Sequence, residues 1–160
     1  MKNNNTFPVI IFGDENLHST QQPDHTPSGE MIDAVLVKPG MYPKKISVAN
    51  DFESIRALVA EHVEFMNPFP GDGSVTLVVN ELSKIDGSMA NRGLIIGGKL
   101  VDVICGDFLI VRETKNGDFC SLTAKQLDRY MEMFKTPHIA VYRDDRLMVV
   151  QVPDYLVIKP

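Results

Sequence analysis

The chain has 160 residues, 44% of them apolar and 23% charged, with a formal net charge of -5 and a pI near 5.3. That is one ordinary domain with enough apolar material for a core, which excludes a disordered chain. The mild acidity argues against a general nucleic-acid binder, which needs a basic patch to displace counterions.

Phe7 to Phe12 reads as a short strand ended by Gly13. "DENLHSTQQPDHTPSGE" follows, with two prolines and hardly an apolar residue, and reads as a linker. Residues 1–30 are therefore expected to be an appendage of strand plus flexible linker, and residues 31–160 a single α+β domain. "IDAVLVKPG" reads as a strand closed by Lys38-Pro39-Gly40, with "KKISV" as its hairpin partner.

"NDFESIRALVAEHVEF" carries Phe52, Ile55, Val59 and Val63 at helical spacing. Asn50 is the expected N-cap and Glu53 completes a capping box. The spacing predicts an amphipathic helix of about 14 residues, stopped before Pro68. "VTLVV" is a strand, and a polar stretch follows it. Gly97-Gly98 reads as a hairpin turn. "LVDVICGDFLIVRE" is one or two strands with Gly106 as a bend. Asn116-Gly117 is a turn. In "CSLTAKQLDRYMEMF", Thr123 is the N-cap, Gln126 closes a capping box, and Leu122 with Leu127 forms a hydrophobic staple. Leu127, Tyr130, Met131 and Phe134 form its apolar stripe, and Pro137 stops it. The last segment reads as a hairpin turning at Arg143-Asp144-Asp145-Arg146. The fold class is α+β: a mixed, mostly antiparallel sheet packed with two amphipathic helices.

No metal or cofactor is expected. Cys105 and Cys120 form no C-x-x-C, and His18, His25, His62 and His138 show no ligand spacing. His62 reads as a boundary or core histidine. Cys120 lies near the start of the second helix but has no histidine near it in sequence, so a buried thiol is the plainer reading. No serine sits in a G-x-S-x-G elbow, and "GDGSV" and "IIGGKL" lack phosphate-loop spacing. With no signal peptide and no run of about 20 apolar residues, a cytoplasmic protein without a membrane segment is expected.

The candidate site is "NELSKIDGSMANRGLI", where Asn80, Glu81, Lys84, Asn91 and Arg92 cluster between apolar strands. Lys84 and Arg92 can hold an anion, the two amides can donate, and Glu81 can orient Arg92 through a bidentate pair. The competing reading makes Asn80 and Asn91 turn-formers and Arg92, paired with Glu81, a structural clamp.

The stretch has the pattern N-E-x-x-K-x-x-G-x-x-x-N-R. Together with Gly106-x-Phe108 and the "SLT…Q…YM..F" helix, it resembles the family named domain of unknown function 3846, over about Met31 to Pro137. The resemblance implies a bacterial or phage protein carried on mobile DNA, and no particular reaction. The expected function is a non-enzymatic accessory or regulatory protein acting on a protein partner, with no nucleic acid. The alternative is a small anionic-ligand binder or enzyme built on the Asn80–Arg92 loop.

Overall fold

The computed structural model describes residues 6–8 and 29–159. Its strands are β1 (Thr6–Pro8), β2 (Met31–Val37), β3 (Lys44–Ala49), β4 (Val63–Met66), β5 (Val75–Asn80), β6 (Ala90–Ile96), β7 (Lys99–Cys105), β8 (Phe108–Glu113), β9 (Phe119–Cys120), β10 (His138–Arg143) and β11 (Arg146–Gln151). The helices are α1 (Phe52–Ala57) and α2 (Ala124–Met133), and a 3-10 turn covers Asp154–Leu156.

The central sheet runs β3-β2-β8-β5-β4, with β9 pairing the end of β8. Every neighbouring pair in it is antiparallel. β2, β5 and β8 are almost continuously apolar because both faces of this sheet are covered. Val35, Val37, Leu77, Phe108 and Ile110 point into one core cluster. Ile32, Ala34, Leu36, Val78, Leu109 and Val111 point into the other. Each such fully buried aliphatic side chain contributes about 2 kcal/mol.

The first cluster is roofed by Tyr130 of α2, by Phe134 at its C-cap, and by Leu94 and Ile104 of the β6–β7 hairpin. The second is roofed by Ile55 of α1, Val48, Phe65 and Phe119. A separate three-stranded sheet, β1-β11-β10, packs its β10 strand beside β6. The expected strand from Phe7 is seen at Thr6–Pro8, antiparallel to β11. Its remainder, and the linker up to Ser28, lie outside the described residues.

α2 forms as its sequence demands. The Thr123 hydroxyl accepts from the Gln126 N–H at 3.2 Å, and the Gln126 side chain accepts from the Thr123 N–H at 3.0 Å. Gln126 also donates to Asp72, which accepts from the Tyr130 hydroxyl at 2.8 Å, so the helix start is tied to the loop before β5. Thr123→Ala removes one half of the reciprocal cap. The expected cost is about 1 kcal/mol in a urea melt.

The first predicted helix is overturned in its second half. Helix α1 has six residues, and its N-cap is Asp51, not Asn50. One Asp51 oxygen accepts from the Ser54 N–H at 2.7 Å, while the Asn50 amide donates to the Phe119 carbonyl. The helix closes at Leu58, and Val63–Met66 becomes strand β4. The apolar spacing served two elements. β4 covers the edge of β5, and Phe65 meets Phe119 at a ring distance of 5.6 Å. A longer helix would leave that edge bare and Phe65 without this contact. The connection through α1 therefore joins opposite edges of the sheet, with no parallel neighbour pair.

The expected turns occur at Gly97-Gly98, Gly117 and Asp144-Asp145. The two aspartates have φ of 51° and 59°, as a two-residue hairpin requires. The long apolar run divides at Gly106 (φ 72°): β7 pairs β6, and β8 enters the central sheet.

Candidate functional site

The stretch from Asn80 to Arg92 divides into two places. Its first part is an outer loop between β5 and β6. The Asn80 side-chain oxygen accepts from the Leu82 N–H at 3.0 Å, an Asx turn. Its amide donates to Asp86 at 2.7 Å, and Asp86 accepts from the Ser88 N–H at 2.8 Å. Hydrogen bonds from Ser88, then from Asn80, hold the Asp86 carboxyl below the usual carboxylate range. Gly87 takes φ 85°, which allows the tight return. Lys84 reaches across to Asp102 of β7 at 2.7 Å. Glu81 is exposed.

The second part is interior. β6 has a register shift between Ala90 and Arg92, which makes Asn91 an extra residue opposite β7. In a regular strand neighbouring side chains alternate faces. The bulge breaks that alternation, so Asn91 and Arg92 are both buried. Asn91 donates to the Val37 and Gly106 carbonyls at 3.1 and 2.7 Å. It is a buried bridge, not the turn-former the sequence suggested.

Arg92 is 1% exposed. Its Nε donates to the Phe134 carbonyl at 2.7 Å, and its terminal nitrogens donate to the Met41 carbonyl at 2.5 Å and the Asn91 side-chain oxygen at 2.6 Å. A further bond at 3.1 Å goes to the Asn91 carbonyl. The expected Glu81–Arg92 pair does not form: the guanidinium is spent on neutral oxygens while Glu81 stays at the surface. Phe134 caps α2, so this cation also meets the negative end of that helix. Burial pulls the guanidinium down to about 10. Arg92 therefore ties α2, the loop after β2 and the β6 bulge together. The clamp exists, with backbone carbonyls in the role assigned to Glu81.

Beside the clamp lies His138, also buried. Its Nδ1 accepts from the Gly93 N–H at 3.1 Å, which fixes the neutral form with a proton on Nε2. Nε2 finds no partner among the described residues. A Cβ on Gly93 would stand 2.7 Å from a Leu100 methyl of β7, so a larger residue there would force that side chain to shift. Burial, then the Arg92 charge, push His138 down to about 4.

The two cysteines are half-buried, and burial raises both thiols. Among the described residues no cluster of metal-ligating side chains occurs, and no helix is long and apolar enough to cross a membrane.

What the polar reading of this stretch passed over is its apolar members. Leu82, Ile85 and Met89 are 39%, 82% and 67% exposed. The signal was present in the sequence: three large apolar residues between turn-formers, in a stretch with no helical or strand period to bury them.

No curated protein and no solved structure matches the chain. The family model for a domain of unknown function, DUF3846, matches residues 32–135, well over half the chain, and spans the central sheet, the outer loop, the Asn91-Arg92 clamp and α2. The chain belongs to that family.

Proposed function

We propose that this chain is a non-enzymatic accessory or regulatory protein of a bacterial phage or other mobile element, acting in the cytoplasm by binding another protein. The binding surface in this reading is the loop from Glu81 to Met89. One observation carries it: Asn80, Lys84, Asp86 and Ser88 bond each other and the scaffold, while Ile85 and Met89 face outward. Large apolar side chains held outward on a shaped loop suit a protein interface, because little ordering entropy remains to be lost on docking. The mobile-element setting rests on the family resemblance.

The anionic-ligand reading has no observation in its favour. Arg92 and Asn91 are occupied inside the fold, and Lys84 is engaged by Asp102.

The test is affinity capture from bacterial lysate with the parent chain and with Ile85→Asp/Met89→Asp. Both positions are exposed, so the double variant is expected to keep its stability to within about 0.5 kcal/mol. It should lose at least one partner that the parent retains. Tyr155→Ser, an equally exposed change at the C-terminal turn, is the control. Identical capture by parent and double variant would end the proposal.

A further inference from the structure

Resting on that reading, the charges around the loop indicate what its partner looks like. We infer that the loop docks into an apolar pocket rimmed by basic side chains on another protein.

The apolar part of the argument is shape. Ile85 is the most exposed of the three apolar side chains and lies between the other two in sequence. It is a knob, and a knob needs a concave apolar site to be desolvated. The loop that carries it is set by the Asx turn at Asn80 and by the Asp86–Ser88 bond, so the knob is presented before any partner arrives.

The charged part is the balance of groups beside the knob. Glu81 is exposed and Asp86 is an ionised surface carboxylate. Asp102 is the third acid, and Lys84 is spent on it. Three carboxylates stand against one ammonium, on a chain whose net charge is already -5. A like-charged rim repels and a basic rim attracts. The same sign disfavours an anionic lipid surface, which recruits basic segments, and nucleic acid, which needs cations to displace its counterions.

A photoreactive amino acid placed at position 85 of the full chain reads the contact directly in bacterial lysate. The expected adduct is with a protein segment that carries Lys or Arg around apolar residues. Its yield should fall about fivefold in a Glu81→Lys background, and should fall as salt is raised from about 50 to about 500 mM. Asp86 is left unchanged because it shapes the loop. Protein adducts whose yield ignores both Glu81→Lys and salt overturn the basic rim and leave loop docking standing. Adducts with lipid overturn the protein partner. Adducts no stronger than those from a photoreactive residue at the exposed turn position 115 overturn the loop as a docking site altogether.

Discussion

Arg92→Ala is expected to unfold far more easily than the parent chain, by about 4 kcal/mol in a urea or thermal melt. Four carbonyl-type oxygens, those of Phe134 and Met41 and both oxygens of Asn91, lose this donor in a site that water reaches poorly. Each buried acceptor left bare costs about 1–3 kcal/mol, partly relieved by relaxation. The loss is large against a total stability of roughly 5–15 kcal/mol. Arg92→Lys keeps the charge but gathers its donors on one nitrogen, which cannot span acceptors on separate elements. About half the loss should remain. A cation held ready for a ligand behaves in the opposite way: its removal leaves stability unchanged, and added phosphate raises the melting point of the parent. A loss below about 1 kcal/mol would restore that reading.

The second large effect is on acid stability. His138 is neutral in the fold, with its titration pushed down to about 4, against an ordinary value of 6.5. Below pH 6.5 the unfolded chain takes up a proton at this residue that the folded chain refuses. Stability is therefore fully present above about 6.5 and drains away as pH falls toward about 4. The gap corresponds to roughly 3 kcal/mol over that window. His138→Gln keeps an acceptor within reach of the Gly93 N–H and does not titrate. Carboxylates with lowered titration, Asp51 and Asp86, also destabilise the fold in acid, but they do so in both chains. The difference between the two chains thus isolates His138. Urea midpoints at pH 7, 6, 5 and 4 should fall more steeply for the parent; parallel curves would show that His138 does not couple to folding.

Local chemistry was the legible part of this sequence. The α2 cap is a contact between residues three apart, and the hairpin turns at Gly97-Gly98 and Asp144-Asp145 are set by adjacent residues. All could be read without knowing the fold. Two features could not. Val59 and Val63 keep helical spacing by coincidence of two elements. What makes Val63–Met66 a strand is the free edge of β5, which lies elsewhere in the chain. The partners of Arg92 are backbone carbonyls, and a carbonyl is the same at every residue. Side-chain identities point to Glu81 as the natural mate, whereas the bulge at Asn91 turns the guanidinium inward to Phe134 and Met41. The division of the candidate stretch into an outer loop and an inner clamp emerged only from the fold. His138 was opaque for the same reason: the group that meets its Nδ1 is the backbone N–H of Gly93, on another strand.

The place of β8 has a consequence for how the chain is made. β8 lies between β2 and β5, and it is later in sequence than both. As the polypeptide leaves the ribosome, the β2–β3 and β4–β5 hairpins emerge first, with nothing to join them. β5 then carries apolar side chains on both faces and an unpaired edge. Closure waits for Glu113, and the roof over one face waits longer, for α2. The nascent chain therefore passes through a sticky interval more than thirty residues long, counted from the end of β5 to the end of β8. A ribosome stalled before Phe108 would hold two hairpins ready to pair with a neighbouring chain instead of with their own missing strand.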